Sequence, residues 1–211
     1  MKKQRVFITG ATGTMGLASL KKMLKDSDKQ DIVILSLDTE RDRKILKPYQ
    51  NKKGLKIIWG DLTDYDIVLK CVKGCDIILH IAAFVSPAAD YHPKQAMKIN
   101  YGSTRNLINA IYELGQENHT RFVYIGTVAE TGDRMPPIHW GRVGDPLKPS
   151  IFDYYAVSKV AAERLVIESG LRYWVSLRQT GIIGKAMSEI DDAIIFHNCF
   201  DNVLEYCSDR D

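Results

Sequence analysis

The chain has 211 residues, 45% of them apolar and 26% charged, with 29 basic against 26 acidic side chains and a formal net charge of +3. Such a length suits one domain, or one plus a fragment of a second, and the apolar fraction excludes disordered, collagen-like and low-complexity chains. The near balance of charge supplies no field toward nucleic acid or an acidic membrane, so neither is an expected partner.

From the amino end, Met1–Arg5 is basic but leads into a five-residue run, Val6–Gly10, that stops at a glycine, too short for a signal peptide. Short β-branched runs then alternate with longer helical patterns. Arg5–Thr9 is the first predicted strand, followed by a helix over Met15–Lys25. Asp31–Asp38 and Leu55–Gly60 are the next two strands, and a helix over Asp64–Lys73 precedes the fourth, Asp76–Ala82. A helix over Asn100–Glu117 leads to the fifth strand, Arg121–Gly126, and one over Asp153–Ser169 leads to the sixth, Tyr173–Arg178. These runs are apolar almost throughout rather than alternating, the pattern of parallel strands covered on both faces. The prediction is therefore an α/β fold with a doubly wound, mostly parallel sheet. Between the fifth strand and the last helix lies an irregular stretch, Thr131–Phe152, with four prolines, Pro136, Pro137, Pro146 and Pro149. It leaves the carboxyl end of the sheet, where ligands bind in such folds. No apolar stretch approaches the roughly 20 residues that span a bilayer, and the chain reads as cytoplasmic. The cysteines, Cys71, Cys75, Cys199 and Cys207, lack a Cys-x-x-Cys spacing and nearby histidines. They read as free thiols, with no metal site expected.

Thr9-Gly10-Ala11-Thr12-Gly13-Thr14-Met15-Gly16 sits between the first strand and the first helix. Glycines belong where a turn is tight, where backbone approaches a pyrophosphate and where a helix packs closely on a strand. The helix then offers unpaired N–H groups and its positive dipole end to phosphate. Asp38 follows Gly16 by 22 residues at the end of the second strand, placed to accept hydrogen bonds from adenosine ribose hydroxyls. That favours NAD, although Arg41 and Arg43 offer a counter-charge to a 2′-phosphate and leave NADP open. Asp61 and Leu62 close the third strand; Asp61 can accept from an adenine amino group or cap the Asp64–Lys73 helix. Ala82 and Ala83 are small enough for a cofactor to lie near the backbone. His80, inside an apolar strand, reads as a hydrogen-bonded core residue.

Tyr155 and Lys159 lie at i and i+4, on one face of the helix that begins near Asp153. A tyrosine titrates near 10 and is a poor base at neutral pH, and a neighbouring cation favours its phenolate. A second match, Tyr49 to Lys53, falls among charges ahead of Gly54 and reads as solvated surface. Thr127, after the fifth strand, provides a hydroxyl to hold a reacting oxygen against the tyrosine.

These residues, with Gly60, His80, Ile81, Asn100, Gly102 and Asn106, resemble an extended short-chain dehydrogenase/reductase of the NAD-dependent epimerase/dehydratase type. The resemblance runs from about Arg5 to Gly184 and implies a Rossmann fold. It also implies a catalytic Thr127, Tyr155 and Lys159 with Asn100 supporting the lysine through backbone and water. Pyrophosphate contacts would come from Gly10, Thr12, Gly13, Thr14, Met15 and Gly16. Asp38, Asp61 and Leu62 would contact adenosine, and Ala82, Ala83, Tyr155 and Lys159 the nicotinamide side. A homodimer through the helices near Asn100 and Asp153 is implied as well. Members acting on nucleotide sugars usually carry an asparagine where this chain has Gly181, which weakens a sugar nucleotide as substrate and raises a ketone or hydroxy-lipid. Members also continue into a seventh strand and a substrate lobe, whereas this chain stops about 50 residues past Lys159. The expected organisation is a dinucleotide-binding domain over 1–184 and, over 185–211, the start of a truncated substrate-binding lobe that is largely absent. The expected function is NAD(P)-dependent oxidation–reduction or epimerisation/dehydration of a small molecule. A non-catalytic dinucleotide sensor or interaction module is the alternative.

Overall fold

Six strands align in parallel, and the central ones are apolar on both faces and covered from two sides. A computed structural model of the chain describes residues 3–26, 28–132 and 144–182. The strands are β1 (Gln4–Thr9), β2 (Gln30–Ser36), β3 (Leu55–Trp59), β4 (Ile77–His80), β5 (Arg121–Thr127) and β6 (Tyr173–Gln179), in the order β3-β2-β1-β4-β5-β6. Every pairing is parallel. The order reverses between β1 and β4, which opens a crevice at their carboxyl ends. Alternate side chains sort to opposite layers: Phe7, Val33, Leu35 and Ile78 join one apolar cluster, Val6, Ile8, Ile32 and Ile34 the other.

The helices are α1 (Thr14–Met23), α2 (Glu40–Leu46), α3 (Tyr65–Val72), α4 (Ala88–Tyr91), α5 (Pro93–Ala96), α6 (Gly102–Glu113) and α7 (Tyr154–Glu168), with a wide π turn at Met97–Tyr101 joining α5 to α6. The predicted doubly wound sheet is therefore present, with three differences. Strand β2 stops at Ser36, opposite the end of β3 at Trp59, and β4 spans only Ile77–His80, ending opposite Thr9 where β1 ends. Helix α2 is absent from the sequence reading; its apolar content is low, and it is started by Thr39, whose hydroxyl accepts from Asp42 N–H at 3.1 Å. The helix expected from Asn100 instead begins upstream at Pro93 and passes through the π turn. Tyr49, in the rejected second match, packs against the apolar cluster while Lys52 and Lys53 are exposed.

Cys71 and Cys75 are buried free thiols. Burial pushes their pKa up, to about 12 and about 11, so neither is a nucleophile at neutral pH. Among the described residues no helix is long and apolar enough to cross a membrane. Cys199, Cys207, the helical pattern Ser188–Cys207 and the expected substrate lobe lie outside the described residues, as does most of the proline-bearing loop.

Candidate active site

Gly10 turns the chain out of β1 with φ +70°, a conformation that disfavours side chains, and a Cβ there would stand 2.7 Å from the Ala82 nitrogen. At Gly16 a Cβ would lie 2.0 Å from the Gly10 carbonyl oxygen, so helix and turn close only over hydrogen. Gly13 is different: its Cβ would make an ordinary 3.5 Å contact, so the protein's own packing does not require glycine there. Gly13 N–H donates to the Gly10 carbonyl at 3.1 Å, and α1 begins at Thr14 with neither a side-chain cap nor an acid in its first turn. The first-turn N–H groups and the positive dipole end are thus left for an external anion. Thr12, Thr14 and Met15 line this turn half-buried. The Met15 sulfur accepts from Gln179 Nε2 at 3.2 Å, which ties the turn to the end of β6. The cradle therefore fits a dinucleotide pyrophosphate: a side chain on either Gly10 or Gly16 would obstruct it.

On the adenosine side the expected residues are present, but some are engaged. Asp38 is exposed two residues past β2, and its carboxylate takes both Nε and Nη2 of Arg43, the latter at 2.8 Å. That hydrogen bond holds Asp38 below the usual carboxylate range, and the Arg43 guanidinium also lies over the Trp59 ring at 4.7 Å. Asp61 accepts from Thr63 N–H at 2.8 Å. It is not the cap of α3: that position belongs to Asp64, which accepts from the N–H groups of Asp66 and Ile67. The Leu62 carbonyl accepts from Asn106 Nδ2 at 3.0 Å, fixing this edge to α6.

The floor between β1 and β4 is a closed hydrogen-bond chain. Thr9 Oγ1 accepts from the N–H groups of Ile81 and Ala82, both at 3.1 Å, and pairs with His80 Nδ1 at 2.9 Å. His80 Nε2 meets Thr104 Oγ1 at 3.0 Å, and Thr104 donates to the Asn100 carbonyl at 2.8 Å. With the Thr104 proton committed to Asn100, His80 must carry its proton on Nε2 and accept on Nδ1. Burial pushes its pKa down to about 3, so His80 is the neutral core residue that its apolar strand implied. Ala82 and Ala83 follow, half-buried. Asn100, 2% exposed, accepts from Phe84 N–H at 2.7 Å and donates to the Phe84 carbonyl and to Ser158 Oγ. Its support thus reaches α7 through Ser158, one residue before Lys159.

Helix α7 carries Tyr155 and Lys159 one turn apart. Asp153 caps it through Ala156 N–H at 2.8 Å, and Asp90 from α4 accepts from Tyr155 N–H at 3.2 Å. The Tyr155 phenol faces the Thr127 side chain, and its pKa is raised: burial pushes it up, Thr127 offsets part of that, and Asp153 adds to it. Lys159 is 2% exposed; its Nζ donates to the Ile125 carbonyl at 2.7 Å and lies 4.1 Å from the Tyr124 ring centre. Burial pushes the ammonium down to about 7. The ammonium is directed at the Ile125 carbonyl and the Tyr124 ring. Thr9, Asp90, Thr104 and Ser158 were missed in the sequence. Ser158 could have been found from its place beside Lys159, whereas the others are remote in the chain from the groups they hold.

Residues 6–199 match the model of the NAD dependent epimerase/dehydratase family. A 3 beta-hydroxysteroid dehydrogenase/Delta 5-->4-isomerase of Vaccinia virus (strain Western Reserve) is 28% identical over 195 residues, which are 84% of this chain and 52% of that protein. Its namesake from Mycobacterium tuberculosis (strain H37Rv) is 29% identical over 211 residues, 95% of this chain and 52% of the relative. The chain thus spans about half the length of these curated relatives. Among solved structures, a dTDP-glucose 4,6-dehydratase from Bacillus anthracis in complex with NAD superimposes with a TM-score of 0.75 at 15% identity, over 94% of this chain and 62% of the other.

Proposed function

Since the chain belongs to the NAD dependent epimerase/dehydratase family, we propose that it is the cofactor and proton-transfer half of an NAD-dependent enzyme oxidising a secondary alcohol, or reducing the matching ketone. The observation that supports this reading is a Thr127 side chain facing the Tyr155 phenol, with the buried Lys159 one helical turn further along α7. Gly10 to Gly16 would hold the pyrophosphate, Asp38 the adenosine ribose, and Ala82 and Ala83 would flank the nicotinamide. NAD, when bound, supplies the acceptor for the electron pair of the substrate C–H bond.

Thr127 donates to the substrate oxygen and fixes it against the phenol. Tyr155 takes the hydroxyl proton during oxidation and returns it to a carbonyl oxygen during reduction. Lys159, with no carboxylate against its ammonium in the described residues, keeps positive charge behind the pair when protonated. A hydroxysteroid-like alcohol is the first substrate class, supported by relatives of that name that align with 84% or more of the chain. Sugar nucleotides form the second, supported by a dehydratase-named relative and structural neighbours. We further propose a cytoplasmic homodimer through the groove beside Tyr101, Val157, Val160 and Leu165. Sedimentation giving a monomer at micromolar concentration removes that assembly.

Tyr155→Phe tests the core of the proposal. With NAD and a panel of 3β-hydroxysteroids and UDP-N-acetylglucosamine, turnover should fall by about 10²–10⁴, while NAD affinity read by tryptophan quenching stays unchanged. Retained turnover refutes the assignment. NAD binding without wild-type turnover on any of the panel favours a non-catalytic dinucleotide sensor.

A further inference from the structure

Three residues past Thr127 the chain buries a carboxylate completely: Glu130 has no exposed surface. Its Oε1 accepts Thr127 N–H at 3.0 Å, while Thr127 Oγ1 accepts Ala129 N–H at 3.3 Å, so cap and turn hold each other over Val128–Thr131. A threonine hydroxyl has one hydrogen and two lone pairs. With one lone pair taken by Ala129, the side chain is oriented and its single hydrogen is left to donate either toward the phenol or to a reacting oxygen. Strand β5 makes room for the carboxylate by carrying glycine at 126, where a Cβ would come 3.0 Å from Glu130 Oε1.

The second oxygen is placed at a cost. Among the described residues Glu130 Oε2 has no hydrogen-bond partner, and Arg178 Nε lies 3.8 Å from it. The same guanidinium is bidentate on Glu163, with Nε 3.1 Å from both carboxylate oxygens and Nη2 3.0 Å from Oε1. Glu163 is 2% exposed and lies one turn beyond Lys159 on α7. Two buried carboxylates therefore share one arginine from β6. Such a cluster contributes less stability than apolar side chains of the same volume, but its directional contacts specify geometry. The elements it joins are the turn bearing Thr127 and the helix bearing Tyr155 and Lys159.

We propose that Glu130 is a positioning residue for Thr127, anchored to α7 through Arg178 and Glu163, so that a buried ion cluster sets the hydroxyl-to-phenol geometry. The proposal rests on the reading of Thr127 and Tyr155 as the proton-transfer pair.

The test needs no substrate. In the full chain with ¹³Cζ-labelled tyrosine, the Tyr155 resonance is the one lost in Tyr155→Phe, and its titration reports the phenol directly. The groups acting on that phenol are Thr127 and Tyr124 from β5 and Asp153 at the start of α7; Asp90 from α4 holds the Tyr155 backbone N–H, and the Lys159 ammonium, one turn on, is directed at the Ile125 carbonyl and the Tyr124 ring. Thr127→Val should raise the midpoint by roughly 1 unit. Glu130→Met, similar in volume but without an acceptor, should raise it similarly, and Thr127→Val/Glu130→Met should move no further than Thr127→Val alone. Glu130→Gln, which keeps an oxygen for Thr127 N–H but loses the charge toward Arg178, should shift the midpoint less than Glu130→Met does. Gly126→Ala presses on the carboxylate without removing it; it should shift the midpoint upward, and serves where Glu130→Met does not fold. A Tyr155 midpoint unmoved by Glu130→Met or Gly126→Ala, or shifts that add in the double variant, overturns the proposal while leaving the pair intact. A midpoint unmoved by Thr127→Val overturns the pair itself.

Discussion

At the carboxyl end of β1 the chain presents backbone; at the carboxyl end of β5 it presents side chains. The cradle from Gly10 to Gly16 depends on missing atoms, since a Cβ at Gly16 would lie 2.0 Å from a carbonyl oxygen, and its N–H groups belong to a helix start. The other mouth depends on polar groups brought from three segments: Thr127, Asn100, and Ser158 with Lys159, above His80 and Thr104. Backbone offers anion binding that is insensitive to pH and intolerant of added volume. Buried titratable side chains make the other half responsive to pH.

The sharpest way to break this contrast is Gly16→Ala. A methyl group 2.0 Å from backbone oxygen cannot be absorbed by a rotamer change, so the turn must open or the helix must shift. NAD affinity should fall by roughly a hundredfold or more, as for other losses of preorganised anion contacts, with a lower melting temperature. The Tyr155 titration should stay as in the wild type. Gly13→Ala, by contrast, meets only a 3.5 Å contact and should leave stability nearly unchanged. Equal destabilisation by the two substitutions would show that the cradle is not set by the Gly10–Gly16 approach.

The same contrast explains what could be read from the sequence. Glycine spacing is a local record of backbone geometry, so the cradle was legible, as were Tyr155 and Lys159, which share one helix. The six strands were legible from their apolar runs, which reflect burial in the central strands, although in β6 Trp174, Val175 and Leu177 remain exposed. Helix α2 was not, because its sequence, Glu40–Leu46, is mostly charged and its start depends on the Thr39 cap. Nor were the networks: Thr9 meets His80 across 71 positions, and Asn100 meets Ser158 across 58. Glu130 is the intermediate case, since its place three residues after Thr127 is a capping-box spacing. The destination of its other oxygen on β6 is not a local property.

Lys159 carries the next largest effect. Burial lowers its pKa from about 10.5 to about 7, so between those values the unfolded chain holds a proton that the folded chain has released. Stability without cofactor should therefore rise with pH across that window and be eroded as pH falls toward 7. Lys159→Met should flatten that slope. At neutral pH it should raise stability by about 1–4 kcal/mol, as when buried charge gives way to an apolar side chain. Urea denaturation at pH 7 and pH 10 reads both, and an undiminished slope would place the titration elsewhere. His80 acts in the same sense at lower pH: its folded value near 3 means that stability falls as pH drops below about 6.5. The cradle contributes to neither window.

The smallest effect tests whether the adenosine corner belongs to the backbone half or to the side-chain half. Asp38 and Arg43 are both exposed and pair with each other, so the carboxylate that would accept ribose hydroxyls is shared with a guanidinium that could meet a 2′-phosphate. Arg43→Ala frees the carboxylate and removes the counter-charge. Asp38→Ala does the reverse and leaves Arg43 on the Trp59 ring. Because exposed ion pairs are weak and screened, each substitution should change the ratio of NAD to NADP affinity by only about two- to fivefold. Arg43→Ala should shift the ratio toward NAD, and Asp38→Ala toward NADP. Titrations of tryptophan fluorescence at low and high salt read the two ratios. Shifts that shrink in salt place cofactor choice with the side chains, whereas ratios unmoved by either variant return it to the backbone turn.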